Sequence, residues 1–252
     1  MIAWREKWRA CSLHFLVTLA MAVAAAILIF FVWYPDPFDN MLGGSKFFLL
    51  VTLCDLVLGP LTSLIVYNSK KTRRALVFDY TFIAIVQLSA FVYGILSMAD
   101  ARPAYVAFVK DRLEVVLAVE LDDKDLLDAK PPYNTRPRFG PRLVGTQRPT
   151  EREQINDLVM SAMEGKDLQN FPRYFVPYEA NAAAIKEHAR PLEELESTYA
   201  AAREPVADAL AELKLPRERL RWLPVRTPKG YWTALLDAQT AEPLAYIPVD
   251  AL

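Results

Sequence analysis

Cysteine and histidine are scarce, at two residues each in a chain of 252. Cys11 and Cys54 fall in or beside apolar stretches at opposite depths, so they cannot pair with each other, and no cysteine follows residue 54. The remaining C-terminal portion therefore holds no disulfide and no thiol nucleophile. At about 150 residues it is large enough to build a core without staples. His14 and His188 lack ligand-spaced His, Cys or carboxylate neighbours, so no metal site is expected. No G-x-S-x-G occurs, and His188 sits in "IKEHARP", a solvated helix face, which argues against a hydrolase. The "GGSK" at 43–46 resembles the end of a phosphate-binding loop, but Asp39 stands where the first glycine belongs, so a flexible loop and a snorkelling lysine are expected. Net charge is only −1, and no aromatic residues are interleaved with cations as on a nucleic-acid surface. Neither a nucleic acid nor a cofactor is expected.

Apolar runs are the positive feature. Three stretches, about 13–34, 47–67 and 75–98, are each long enough to cross a hydrocarbon core of roughly 30 Å as a helix, and none follows residue 99. The run "AMAVAAAILIFFVWY" outlasts the roughly 7–15 residues of a signal-peptide core, so an uncleaved anchor is expected. Arg5, Lys7 and Arg9 precede the first stretch, and Lys70, Lys71, Arg73 and Arg74 separate the second from the third. The positive-inside rule then puts the N-terminus in the cytoplasm and the C-terminal region outside. Trp4 and Trp8 at one end, and Trp33 and Tyr34 at the other, read as interfacial anchors. Residues 1–99 form the expected membrane domain and 100–252 an exported one.

The exported part alternates strand and helix signals. "AYVAFVKDRLEVVLAVEL" at 104–121 predicts two strands about a tight turn. Residues 129–149 hold five prolines and four arginines, among them Arg136 and Arg148, and predict a long solvated loop. Thr150 and Glu153 have capping-box spacing, ahead of an amphipathic helix bearing Ile155, Leu158, Val159, Ala162 and Met163. Residues 180–214 predict helices opening at Pro191 and Pro205, and 220–249 predict a three-stranded meander. The expected fold is three transmembrane α-helices followed by an α+β domain with an antiparallel sheet.

Polar residues inside the apolar runs are the candidate site. Asp55 lies about 12 Å below the outer boundary of its span, with Gln87 about 16 Å and Ser89 about 13 Å below it in the next. A carboxylate at that depth costs at least about 2.5 kcal/mol on insertion scales, so Asp55 is expected to bond Gln87 or Ser89. That contact has two readings, as a packing device or as a functional site. Gly59-Pro60 follows one turn later and predicts a kink and a polar notch, with Thr62 and Ser63 available for compensating bonds. His14, at the start of the first span, and Asp79, about 6 Å into the third, either pair or reach interfacial water separately.

"HF" at 14–15, "WYPDPF" at 33–38, "CDLVLGPLTSLIVY" at 54–67, Asp79, "IVQLSAFVYG" at 85–94 and "ARPAYVAF" at 101–108 together resemble the TfpX/TfpZ family of type IV pilin accessory proteins of Gram-negative bacteria. The resemblance covers roughly the first 120 residues. It implies a non-enzymatic, multi-pass bacterial inner-membrane chaperone, its C-terminal domain in the periplasm, whose partners are the lipid bilayer and a major type IV pilin. It also makes His14, Trp33, Tyr34, Asp55, Gly59, Pro60, Asp79 and Gln87 candidate pilin-binding residues, with His14 meeting an acidic residue of the pilin helix. The competing class is a small transporter or membrane enzyme that uses Asp55, Gln87 and Asp79 as an intramembrane relay. No internal repeat supports a transporter, and the cytoplasmic segments are too short for a sensor's output domain.

Overall fold

In the computed structural model three helices are long and apolar enough to cross a membrane: Trp4–Trp33, Gly44–Val66 and Arg73–Asp100. The structure describes residues 2–68 and 71–251, so Lys70, one of the loop cations counted above, lies outside it. Contacts divide the chain into two units, the first ending at Ala101 and the second beginning at Arg102.

In the first unit α1 (Ile2–Ile27) starts well before Leu13 and runs on through a π-helical stretch, Leu28–Trp33. The stretch outlined from apolarity is therefore only part of the helix, because backbone hydrogen bonding continues through Arg5, Lys7 and Arg9. After the π turn Tyr34 packs inward rather than at an interface. Its ring is buried with Ala25, Ile29 and Met98, and its hydroxyl donates to the Met98 carbonyl at 2.9 Å. Burying the ring while satisfying the hydroxyl outweighs an interfacial position. Trp33 is half-buried against the same cluster, whereas Trp4 and Trp8 are exposed.

A short α2 (Phe38–Leu42) leads through Gly43, at φ +67°, into α3 (Gly44–Val66). "GGSK" is thus a helix junction and not a flexible loop: Gly43 supplies the left-handed turn. A Cβ on Gly44 would lie 3.2 Å from the Tyr34 ring. α4 (Arg73–Asp100) is capped by Thr72, whose side chain accepts from the Ala75 N–H at 3.3 Å. It approaches α3 closely at Gly94, where a Cβ would lie 3.0 Å from Val51.

The second unit is built on one sheet. Its strands are β1 (Pro103–Val109), β2 (Arg112–Leu117), β3 (Arg142–Thr146), β4 (Phe175–Pro177), β5 (Arg190–Pro191), β6 (Leu220–Thr227), β7 (Gly230–Asp237) and β8 (Pro243–Ile247). They are ordered β4-β3-β1-β2-β6-β7-β8, with β5 also on β6. The β1–β2 hairpin and the β6–β7–β8 meander are antiparallel as the alternation predicts. The sheet as a whole is mixed, however, because β3 runs parallel to β1 and β6 parallel to β2. Strand β3 also overturns the expectation of an unbroken loop over 129–149: proline excludes helix there, but Leu143–Thr146 contains none. Arg136 in that segment is not simply solvated, since it donates to the carbonyls of Ala118 and Leu121 and pairs with Asp123.

Helices cover parts of this sheet. α5 (Asp123–Leu127) and the 3-10 turns from Leu168 to Tyr174 pack with β1 and β2 in one buried cluster. α8 (Leu192–Thr198) and α9 (Arg203–Leu213) pack on the meander around Trp222. Pro191 directly precedes α8 and Pro205 lies in the first turn of α9, where a missing N–H costs nothing. α6 (Arg152–Met163) starts two residues beyond Thr150, after Glu151, so the predicted capping box does not form. His188 ends α7 (Ala182–His188) and is exposed.

Candidate functional site

The membrane unit holds a polar cluster that joins all three spans. His14 on α1 lies with Nδ1 2.5 Å from Ser63 Oγ on α3 and Nε2 2.7 Å from Gln87 Oε1 on α4. A neutral imidazole protonated at Nε2 satisfies both contacts, donating to the Gln87 carbonyl oxygen and accepting from the Ser63 hydroxyl. Ser63 is fully buried. Such bonds are worth about 0.6 kcal/mol each in a bilayer, up to about 1.7.

Gly59 makes the meeting possible. A Cβ there would fall 2.5 Å from Gln87 Nε2 and 3.0 Å from His14 Nε2. Pro60 lies next to it inside α3, and Thr62 Oγ donates back to the Gly59 carbonyl at 2.7 Å. Thr62 thus takes the local bonding expected of it, while Ser63 is recruited by His14. Asp55, Gly59 and Ser63 recur every four residues and share one face of α3.

Asp55 is half-buried and makes no hydrogen bond or ion pair among the described residues. The expected Asp55–Gln87 and Asp55–Ser89 bonds are not present. Gln87 is taken by His14, which the long α1 carries to the same depth, and Ser89, two positions further along α4, is exposed. Instead Asp55, His14 and Gln87 line one cavity of about 160 Å³, with Val17, Met21 and Phe91 among its apolar walls. The carboxylate is the open polar group of this cavity.

Asp79 is elsewhere. It pairs with Lys71 at 2.6 Å, and Lys71 Nζ also donates to the Val66 carbonyl at 3.2 Å, closing the connection between α3 and α4. The proposed His14–Asp79 pair is therefore absent: the lysine beside Asp79 takes its carboxylate. Of the eight residues singled out from sequence, the fold brings together His14, Gly59 and Gln87, sets Asp55 and Pro60 next to them, and leaves Asp79, Trp33 and Tyr34 apart. Ser63, the third member of the cluster, reads from sequence only as a partner for the proline break. The four-residue spacing from Asp55 is the signal that finds it.

The second unit has its own polar cleft, of about 310 Å³, lined by Glu114, Glu120, Asp167 and Arg226. Burial pushes the Glu114 carboxyl up to about 7, against the opposing pull of Arg226 at 3.8 Å and Arg112 at 3.9 Å. Among the described residues no group of three or more His, Cys, Asp or Glu is placed to hold a metal ion.

Comparison with known proteins decides the family. Residues 2–43 match the family model described as fimbrial assembly protein FimB. Two fimbrial assembly proteins of Dichelobacter nodosus, of serogroups E1 and I, are 31% and 32% identical over 228 residues, covering 90% of this chain and 89% of theirs. The chain belongs to the fimbrial assembly protein family. A further fimbrial assembly protein from Dichelobacter nodosus, of serogroups C1 and C2, is 39% identical over 105 residues, or 42% of this chain. No solved structure matches. The fimbrial assembly matches reach beyond the roughly 120 residues whose motifs suggested pilin accessory proteins, because two of them extend through most of the second unit.

Proposed function

We propose that this chain is an inner-membrane accessory protein that binds and stabilises a type IV pilin before it enters the pilus, acting by binding rather than catalysis. Membership of the fimbrial assembly family carries this reading, joined by the narrower motif resemblance to the TfpX/TfpZ pilin accessory proteins. The loop cations orient the N-terminus toward the cytoplasm and the second unit toward the periplasm, parallel to a pilin with one apolar helix and an exported head. The spans then receive the pilin helix and the second unit its head. Within the spans the group available to a partner is Asp55, because both ring nitrogens of His14 are occupied. Of the two candidate membrane contacts this leaves Asp55 and not His14, and its carboxylate asks for a hydrogen-bond donor on the incoming helix. The outer edge of the meander, β8, offers one route for holding the head by strand addition. The relay reading draws no support from the geometry, since Gln87 is bonded to His14 and Asp79 to Lys71 rather than to Asp55.

The test is affinity purification from detergent-solubilised native membranes, with mass spectrometry of what co-purifies. A pilin in near-stoichiometric amount is expected, and Asp55→Leu is expected to lower the cellular pilin level while leaving this protein in the membrane. Recovery of the protein alone, with abundant pilin in the unbound fraction, would overturn the proposal.

A further inference from the structure

α6 is amphipathic, yet none of its residues is buried. Ile155, Val159, Met160 and Met163 are exposed, and only Leu158 packs against the neighbouring core. Isolated apolar residues at a surface are ordinary, but a set at helical spacing makes a patch. Ile155, Leu158 and Val159 wall a groove of about 340 Å³, which continues past Arg148 and Pro149 into a cleft of about 430 Å³.

That cleft is cationic. Lys130, Arg148 and Arg173 line it, and no carboxylate does. Lys130 and Arg148 make no ion pair among the described residues. Arg173 is held over the rings of Phe171 and Tyr174, 5.1 Å from each centroid, with Asp128 3.6 Å away. Tyr174, in the same lining, is nine-tenths buried, and its hydroxyl has no hydrogen-bond partner among the described residues. Lys130 and Arg148 have no carboxylate at ion-pair distance among the described residues, Arg148 acting on Asp167 only from further off, so the cleft asks for carboxylates and the adjoining groove for apolar side chains.

We propose that this cleft and groove form a docking site for an extended acidic segment of a partner protein, its carboxylates toward Lys130, Arg148 and Arg173 and its apolar side chains against α6. Charge complementarity selects a peptide over a phosphate polymer. Glu151, Glu153, Asp157 and Glu164 on and beside α6 repel a continuous polyanion, whereas a peptide alternates charge with apolar groups. Strand addition at the adjacent β4 is disfavoured, because that edge is three residues long, ends in Pro177, and has the Phe175 N–H already bonded to the Pro172 carbonyl. Naming the pilin head as the source of the segment rests on the function proposed above.

The probe is a fluorescein-labelled peptide alternating glutamate and leucine, titrated against the full chain in zwitterionic nanodiscs and read by anisotropy, with empty discs subtracted. Binding is expected to weaken with salt and to fall at least about tenfold in the Lys130→Glu, Arg148→Glu double variant. Val159→Asp should weaken it as well, and Arg138→Glu, outside the cleft, should leave it unchanged. No binding by the wild type, equal binding by the double variant, or equal binding of oligothymidylate would overturn the site. Pilin co-purification is measured in parallel. Pilin retained undiminished by the double variant also overturns the site as the pilin contact. Absence of pilin from the wild type, alongside peptide binding that needs Lys130 and Arg148, instead removes the pilin reading and leaves the site standing.

Discussion

Gly59 is the sharpest test of the membrane cluster. An alanine there normally favours a helix by roughly 0.8–1 kcal/mol. Here its Cβ would lie 2.5 Å from the Gln87 amide nitrogen, so the amide must swing away and lose its contact with His14. The loss is about 0.6 kcal/mol for the bond, up to about 1.7, plus about 0.5–1.5 kcal/mol for an off-rotamer side chain. Gly59→Ala should therefore destabilise the wild-type bundle by about 1 kcal/mol, within a range of roughly 0.1–2.4 kcal/mol. In a Gln87→Ala background the 2.5 Å obstruction is gone and only the 3.0 Å approach to His14 Nε2 offsets part of the helical preference, so the same substitution should become neutral or stabilising by about 0.5 kcal/mol. The coupling, near 1.5 kcal/mol, is about tenfold in the unfolding equilibrium. It is read from a four-variant cycle in mixed detergent micelles titrated with SDS. The same sign and size of effect in both backgrounds would refute the idea that Gly59 is the gap that admits Gln87.

Three further outcomes are expected. Arg136→Ala leaves the Leu121 carbonyl without its donor and the Ala118 carbonyl with only the Leu121 N–H at 3.4 Å, and should cost about 1–3 kcal/mol, lowering the melting temperature of the second unit by roughly 2–12 °C in a calorimetric scan; an unchanged melting temperature would mean that the clamp contributes nothing. Glu114 retains its proton in the fold to about pH 7, against 4.5 as the ordinary value, so the folded state binds more protons between those limits and stability should fall as pH rises through that window. Glu114→Gln should remove that slope, which is worth on the order of 2–3 kcal/mol, and denaturant titrations at pH 5 and pH 8 that fall equally for both proteins would contradict the assignment. Gln87→Leu should weaken the bundle by about 0.6–1.7 kcal/mol without changing its spans, as followed by the same SDS titration.

The fold was legible wherever local chemistry decides it. Apolar length located the three spans, and alternation with turn residues located the β1–β2 hairpin and the whole meander. What local chemistry cannot carry is pairing between distant segments. The parallel contacts β1–β3 and β2–β6 join strands separated by long connections, and nothing in the sequence of β3 names β1 as its neighbour. The capping box failed for a related reason: the spacing of Thr150 and Glu153 permits a cap, but the chain entering from β3 starts the helix later.

The membrane site was legible in its residue types and not in its pairings. Depth counting placed His14 at a boundary because it began the span at Leu13, whereas the hydrogen-bonded helix begins at Ile2 and carries His14 into the bundle. That one shift reassigns the partners. His14 takes Gln87 and Ser63, Asp79 is left to Lys71, and Asp55 is left facing a cavity. A polar network that closes on itself fixes the three spans, whereas a carboxylate that it excludes keeps its cost unpaid until another group arrives. The packing cluster and the group proposed for binding are therefore different residues on the same face of α3, four to eight positions apart. Substitutions at His14, Ser63 or Gln87 should act first on the bundle, and substitutions at Asp55 first on what the bundle binds.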